Sequence, residues 1–273
     1  MYKKLILSAT SMALTLALAT LSAPLRAQSL QSASNNGATG SAAMASASDA
    51  TVVLVHGAFA DASSWNRVIP LLQAKGLNVI AVQNPLTSLA DDVAATQRAI
   101  DMVSGKVVLV GHSWGGTVIT QAGSSDKVKA LVYVAALVPS EGEASAELGK
   151  PYPPAPGLQT VKTDAAGFLS LPAESVTTNF AQDLPAAETK IMAVTQGPIS
   201  GKAFSDKVTA VAWKKKPNYY IVAEQDRMIQ PAEQQDFAKK IKADTTVLPT
   251  SHVPMLSRPN DVANVIIKAA MAK

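Results

Sequence analysis

Six short apolar runs within residues 51–248 constrain the fold of this chain more than any other feature of its sequence. Most of them are unbroken and rich in valine, a composition that suits strands buried on both faces of a parallel sheet. The runs cover residues 51–55, 78–82, 106–110, 128–137, 219–223 and 245–248. Helical patterns lie between them, and alternating strands and helices predict a doubly wound α/β fold. We expect a mostly parallel sheet of about six strands with helices on both faces.

The alternation stops between about residues 140 and 212, where Pro, Ala, Ser and Gly are frequent. Several large apolar side chains in this stretch are nevertheless able to pack against a core. They are Phe168, Leu169, Leu171, Phe180, Ile191, Met192 and Phe204. We therefore predict an inserted helical cap, and the alternative is a long disordered loop.

Residues 1–27 have the pattern of a secretory signal peptide. A basic start precedes an apolar run over residues 5–21, and small residues lead to Ala27, the expected last residue removed. A membrane anchor is the alternative, but the run is shorter than the roughly 20 residues that a span needs. Residues 28–50 have almost no large apolar side chain and predict a flexible linker. We thus expect an exported protein, periplasmic or secreted, whose folded domain covers residues 51–273.

Composition excludes several classes of protein. The net charge is +4, but residues 1–27 contain three basic and no acidic residues, so the remainder is nearly neutral and lacks the basic patch of a nucleic-acid-binding protein. The chain has no cysteine, which excludes disulfides, a thiol nucleophile and thiolate zinc sites. Its histidines, His56, His112 and His252, form no HxxxH pair. We expect neither a metal site nor a cofactor.

Residues 111–116 read GHSWGG and carry a G-x-S-x-G pattern between a predicted strand and a helical pattern. A serine hydroxyl is a weak nucleophile, so it must project from a tight turn where a base reaches it and backbone N–H groups hold the oxyanion. Glycines at 111 and 115 avoid side-chain collisions in such a turn. We predict that Ser113 is the nucleophile. The alternative, a nucleotide-binding turn, requires G-x-G-x-x-G after the first strand, and none is present.

The candidate general base is His252, which follows the last predicted strand. His112 neighbours the nucleophile on the turn and should point away from it, whereas His56 is expected to order the loop after the first strand. The base needs a carboxylate that fixes its tautomer. Asp226, just past the fifth predicted strand, fits the chain order serine, acid, histidine. Glu224 is the alternative acid.

An oxyanion hole needs two backbone N–H donors. One is expected at Trp114, immediately after the nucleophile, and the other at Ala58, in the loop after the first strand. Gly57 would let this loop approach the substrate closely.

Four segments resemble the α/β-hydrolase family, and within it the compact bacterial and plant branch that includes plant methylesterases and hydroxynitrile lyases. They are residues 56–65 (HGAFADASSW), residues 111–116, Asp226 with the following Ile-x-Pro, and residues 251–259 (SHVPMLSRP). The resemblance implies a triad of Ser113, His252 and Asp226, an oxyanion hole at Ala58 and Trp114, a six-stranded core and a helical cap. Trp114 is bulkier than the leucine common in the plant members, which implies a narrower acyl side of the pocket.

The expected activity is hydrolysis of small carboxylic esters through an acyl-enzyme intermediate, with a small-molecule ester as the substrate, no nucleic-acid partner and no stable membrane anchor. The alternatives are a hydroxynitrile-lyase-like enzyme, a small-molecule receptor on the same fold, and an aminopeptidase, although nothing in the cap region marks an amine-binding carboxylate. Lyases that resemble this chain have Thr or Asn after the first-strand histidine, and one group has Lys after the catalytic histidine. Gly57 and Val253 stand at those positions here, which favours ester hydrolysis.

Overall fold

A six-stranded parallel sheet forms the centre of the computed structural model, which describes residues 50–272. The predicted signal peptide and all but the last residue of the predicted linker lie outside the described residues. In chain order, the strands are β1 (Thr51–Val55), β2 (Asn78–Val82), β3 (Val107–His112), β4 (Val128–Val134), β5 (Lys162–Thr163), β6 (Phe168–Ser170), β7 (Ile199–Ser200), β8 (Asn218–Ala223) and β9 (Asp244–Leu248). The central sheet has the order β2-β1-β3-β4-β8-β9, and each neighbouring pair is parallel. The predicted α/β fold is confirmed.

Helices lie between and after the strands, both beside the central sheet and in the segment that joins β4 to β8. They are α1 (Ile69–Gln73), α2 (Leu89–Asp101), α3 (Trp114–Ala122), α4 (Ser145–Leu148), α5 (Ala173–Ser175), α6 (Ala186–Thr195), α7 (Pro231–Lys240), α8 (Pro254–Ser257) and α9 (Pro259–Met271). Helix α2 packs on α3, and α1 packs on α9. Among residues 50–272, every helix is too short or too polar to cross a bilayer.

Strand β4 is shorter than the predicted run of residues 128–137. It ends at Val134, because Ala135 has a φ of 43° and turns the chain out of the sheet. The backbone N–H of Leu137 then donates to the Ser113 carbonyl at 3.1 Å. The apolar residues 135–137 therefore cover the start of α3 instead of extending the strand.

The segment between β4 and β8 folds as a cap that contains both helices and strands. Helices α4, α5 and α6 lie in it, and a π-helical turn at Val176–Phe180 continues α5. Strands β5, β6 and β7 form a small antiparallel sheet, which the expectation of a purely helical cap did not include. Runs of two or three residues are too short for the alternation that identifies a strand in a sequence.

The cap is attached to the core by polar contacts. Arg67 donates to both carboxylate oxygens of Glu188 on α6 at 2.7 Å. The Asp206 carboxylate accepts from the backbone N–H of Leu89, the first residue of α2, at 2.9 Å. These contacts hold the cap over the carboxyl ends of the central strands, where ligand sites of open α/β sheets form.

Helix α3 approaches strand β1 so closely that one position must be glycine. A Cβ atom built on Gly115 would lie 2.5 Å from the carbonyl oxygen of Val55 and 2.9 Å from that of His56. Both atoms belong to the backbone, so neither can move without shifting the strand end.

We predict that Gly115→Ala lowers the free energy of unfolding by about 1–3 kcal/mol, because overpacking forces the backbone to shift. Urea denaturation measures this change. The matched control is Gly149→Ala, where the nearest atoms to an added Cβ are the Glu233 carboxylate oxygens at 3.9 Å. That variant should stay within about 0.5 kcal/mol of the wild type. Equal stability of the two variants would contradict the steric argument.

Candidate active site

Ser113 lies in the sharp turn between β3 and α3, with φ 53° and ψ −120°. These angles are strained for a residue with a side chain, and they project the hydroxyl away from the sheet. The turn is possible because residue 111 is glycine: a Cβ there would lie 2.5 Å from the carbonyl oxygen of Gly115. The predicted nucleophile therefore lines the cavity between core and cap.

His252 and Asp226 complete a chain of hydrogen bonds with Ser113. The Nε2 atom of His252 lies 2.8 Å from Ser113 Oγ, and its Nδ1 atom lies 2.6 Å from Asp226 Oδ2. A carboxylate only accepts, so Nδ1 carries the proton and Nε2 accepts from the serine hydroxyl. The structure thus brings together the three predicted triad residues.

The alternative acid, Glu224, does not contact His252. Its side chain is exposed, and its backbone N–H donates to the Leu248 carbonyl at 2.9 Å, continuing the pairing of β8 with β9. Asp226 reaches the histidine because the chain leaves the sheet after Ala223, the last residue of β8.

Four donors surround the Asp226 carboxylate. Besides His252, the backbone N–H groups of Met228 and Ile229 donate to Oδ1 at 2.7 and 3.1 Å, and the Gln234 side chain donates to Oδ2 at 2.7 Å. Gln234 is fully buried on α7 and also accepts from the backbone N–H of Ala223 at 3.0 Å. It is therefore a positioning residue for the acid.

Gln234 was not among the residues predicted from the sequence. The available signal was its place in the second turn of the helix that follows Asp226, on the face that packs against β8. A single amide on an amphipathic helix gives no chemical pattern by itself.

The other two histidines support backbone near the site. His56 donates from Nδ1 to the Gly57 carbonyl at 2.8 Å and accepts from the backbone N–H of Asn84 at 2.9 Å, so it orders the loop after β1. His112 donates to the His252 carbonyl at 2.8 Å. Burial lowers the pKa of both rings, which keeps them neutral. The structure shows neither of them bonded to the Ser113 hydroxyl.

Ala58 and Trp114, the two predicted oxyanion-hole residues, both lie near Ser113 in the structure. Trp114 is the first residue of α3, so its N–H has no acceptor within the helix. Ala58 lines the cavity beside Ser113 in the turn after β1. Their placement is compatible with the predicted oxyanion hole.

The expectation that the Trp114 side chain narrows the acyl side of the pocket is wrong. The indole is fully buried, and its Nε1–H donates to the Asp92 carboxylate on α2 at 2.7 Å. Its ring meets the edge of Phe204 at 5.1 Å and does not line the cavity. A buried indole N–H usually has an acceptor, and here Asp92 draws the ring toward α2.

A cavity of about 680 Å³ lies between the core and the cap. Ser113 and His252 open into it, and most of its walls are apolar. These walls include Phe59, Leu137, Leu158, Leu169, Phe204 and Met228. The volume and the lining suit a small organic molecule. Among residues 50–272, no three His, Asp or Glu side chains are grouped to bind a metal ion.

The cap also supports the loops that carry the base and the acid. The Phe180 ring packs edge-on against the His252 ring at 5.1 Å. The Asp183 carboxylate accepts from the backbone N–H of Ser251 at 2.9 Å, and Gln182 donates to the Gln225 carbonyl at 2.6 Å. Ser251 and Gln225 directly precede His252 and Asp226, so these contacts help to position both side chains.

A second buried acid, Glu233, lines the cavity from α7. Its exposed fraction is 4%, and its Oε1 atom has no hydrogen-bond partner among the described residues. Burial, together with the neighbouring charge of Asp226, raises the pKa of the Glu233 carboxyl to about 7. Glu233 was not predicted from the sequence either, since only the fold places it in the cavity.

Comparisons with known proteins agree with this geometry. The sequence pattern of the alpha/beta hydrolase family matches residues 52–265. A probable hydrolase of Phoma sp. is 28% identical over 247 residues, which cover 80% of this chain and 97% of the relative. The pyrethroid hydrolase of Sphingobium wenxiniae is 28% identical over 265 residues, which cover 81% of this chain and 88% of the relative.

Solved structures show the same fold. A crystal structure of a pyrethroid hydrolase superposes with a TM-score of 0.73 at 24% identity, covering 82% of this chain and 98% of its own. The resemblance inferred from the four sequence segments is confirmed.

We predict that Asp226→Asn slows the labelling of Ser113 by a fluorophosphonate by about 10⁴-fold, because the amide no longer holds the histidine tautomer. Glu224→Gln is the matched control and should label at the rate of the wild type, since its side chain is exposed. Mass spectrometry of the labelled peptide measures both rates. A larger loss in Glu224→Gln would assign the acid to that residue.

The raised pKa of Glu233 predicts that the free energy of unfolding depends on pH. Because the pKa of its carboxyl rises from the ordinary 4.5 to about 7, the folded protein holds a proton that the unfolded chain releases between those values. The free energy of unfolding should therefore fall as the pH rises through this range. Glu233→Gln removes the titration, so its Tm should lie near that of the wild type at pH 5 and several degrees above it at pH 8.5.

Calorimetry at both pH values measures this difference. The control is Glu174→Gln in the cap, where the side chain is exposed. A Tm difference for Glu233→Gln that stays constant with pH would contradict the prediction.

Proposed function

The chain belongs to the alpha/beta hydrolase family, and on that premise we propose that it hydrolyses small carboxylic esters through an acyl-enzyme intermediate. The observation that carries this proposal is the hydrogen-bonded series Asp226, His252 and Ser113, which ends in an apolar cavity. This is the arrangement that activates a serine hydroxyl for acyl transfer.

In the first half of the reaction, Ser113 Oγ attacks the ester carbonyl carbon while His252 Nε2 takes the hydroxyl proton. The carbonyl electron pair moves to oxygen, and the N–H groups of Ala58 and Trp114 donate to this oxyanion. Asp226 stabilises the imidazolium through Nδ1. The tetrahedral intermediate then expels the alcohol, which receives the proton from His252.

In the second half, water attacks the acyl-enzyme and His252 takes one of its protons. Collapse of the second tetrahedral intermediate breaks the bond to Ser113 Oγ, which recovers its proton from the histidine. The products are a carboxylic acid and an alcohol, and the chemistry requires no cofactor.

Two positions support ester hydrolysis over cyanohydrin cleavage. A Cβ atom on Gly57 would lie 2.7 Å from the Cβ atom of Ser113, so a hydroxyl-bearing side chain does not fit there without a shift. Val253 follows the base and is buried, with no cation to stabilise departing cyanide. The backbone donors suited to a tetrahedral oxyanion remain.

The similarity to proteins named as hydrolases supports hydrolysis as the reaction type. From the pattern of residues 1–27, we also propose export to the periplasm or medium, where the protein acts on a small-molecule ester.

We predict that Ser113→Ala lowers kcat on p-nitrophenyl butyrate by on the order of 10⁴–10⁶ without loss of folding. A fluorophosphonate should label Ser113 in the wild type and leave Ser145 unlabelled. Ser145 lines the same cavity, but its hydroxyl bonds to Thr117 at 2.8 Å and no base contacts it. Release of nitrophenolate measures activity.

Mandelonitrile provides the opposing test. Release of benzaldehyde well above background, combined with no turnover of p-nitrophenyl esters, would reject ester hydrolysis in favour of a lyase. Retention of most ester activity in Ser113→Ala would reject the nucleophile.

A further inference from the structure

The cavity contains one acidic group whose charge the protein leaves uncompensated. The exposed fraction of Glu233 is only 4%, and its side chain lies close to Gly149 at the end of α4. A Cβ on Gly149 would be 3.9 Å from each of the two carboxylate oxygens. Gly149 and Glu233 both line the cavity, so the carboxylate lies where the cap meets α7.

No positive group pairs with this acid. None of the ion pairs formed among residues 50–272 includes Glu233. The charged neighbour is Asp226, which carries the same sign, and His252 is bonded to Asp226. Buried carboxylates are normally paired with a cation or fully hydrogen-bonded, so the unpartnered Oε1 atom of Glu233 requires an explanation.

The other polar side chains of the cavity already have partners. Tyr152 donates its hydroxyl to Asp236 at 2.9 Å, and Gln230 donates to the Pro153 carbonyl at 3.1 Å. Lys150 lies 3.9 Å from Glu147, with its side chain 71% exposed. Among the described residues, the backbone N–H of Gln230 donates to the Glu233 carboxylate, but no side chain donates to it and Oε1 has no partner.

The remaining walls are apolar, so the complementary ligand has an apolar body and one cationic donor. We propose that the cavity accepts esters that carry a protonated amine remote from the scissile bond, and that Glu233 binds this ammonium group. The inference rests on the proposed ester hydrolysis at Ser113 for the reaction, but the cation site stands on its own geometry. An amine-binding carboxylate thus comes from α7 and not from the cap region.

The chemistry of the carboxyl agrees with this assignment. An ammonium group would stabilise the negative charge on Glu233 that burial and Asp226 otherwise disfavour, through a charge-assisted hydrogen bond. The terminal torsion of a glutamate rotates broadly, so either oxygen can face the cavity. Because the pKa of Glu233 lies at about 7, ammonium binding should strengthen as the pH rises from 5.5 to 8 and the carboxyl ionises.

The test compares n-hexylammonium with 1-hexanol as ligands of nearly equal size, by isothermal titration calorimetry at pH 8. We expect wild type to bind hexylammonium at least about tenfold more tightly than hexanol, as a charge-assisted bond implies. Glu233→Gln should lose this preference, and the control Glu174→Gln should keep it. Equal binding of the two ligands by the wild type, or a preference that persists in Glu233→Gln, would overturn the inference.

A measurement on the wild type alone tests the same assignment and does not depend on whether the variant folds. The affinity for hexylammonium should rise about tenfold or more between pH 5.5 and 8, while that for hexanol stays constant, since only the charged ligand senses ionisation of the carboxyl. A hexylammonium affinity that does not change with pH would overturn the assignment to Glu233.

Ester substrates separate this inference from the proposed function. The ratio of kcat/KM for methyl 6-aminohexanoate over methyl heptanoate should fall about tenfold in Glu233→Gln and remain unchanged in Glu174→Gln. Turnover of neutral esters without any preference for ammonium would overturn the cation site alone. Ammonium binding through Glu233 without ester turnover or labelling of Ser113 would reject ester hydrolysis and leave the cation site in place.

Discussion

The steric crowding at the turn between β3 and α3 determines where the other parts of the site lie. Gly111, Gly115 and Gly57 each stand where an added Cβ would lie within 2.7 Å of another atom. Because these backbone segments approach each other so closely, α3 begins directly above the sheet. The first N–H of the helix is then free of an acceptor within the helix, and Ser113 projects into the cavity. A φ of 53° at Ser113 costs on the order of 1–3 kcal/mol. Strand β3 is buried along its whole length between β1 and β4, and this packing holds the strained turn in place.

Local patterns predicted the parts of the structure that depend on local physics. Unbroken valine-rich runs marked the central strands, and the chain order of serine, acid and histidine selected Ser113, Asp226 and His252, which hydrogen bonds join in the structure. The edge strands were also found, although β9 is mostly exposed. Contacts between distant segments that follow no known motif were not predictable. The indole of Trp114 turns toward Asp92 because that acid lies on another helix, and no pattern near Trp114 records it.

Asp226 and Glu233 lie seven residues apart, yet their surroundings give them opposite properties. Four donors hold Asp226, so its negative charge is stabilised and directed at the imidazole. Glu233 has no such donors on Oε1, and its neighbour is itself an acid. Helix α7 connects the two, since it contributes Gln234 to one acid and carries the other. Helix α7 thus supports the Asp226 carboxylate through Gln234 and also forms part of the cavity wall through Glu233.

The contacts from the cap to the loops of the triad affect how the protein can be re-engineered. Phe180 packs on the imidazole, and Gln182 and Asp183 hold the backbone next to Asp226 and His252. A chimera that receives the complete cap of a relative would therefore acquire a new pocket but lose the contacts that position His252. The segment that includes residues 180–183 has to stay with the core, and the transferable parts of the cap lie outside it. In evolutionary terms, substrate range can diversify through α6 and the small antiparallel sheet, while the π-helical turn remains tied to catalysis.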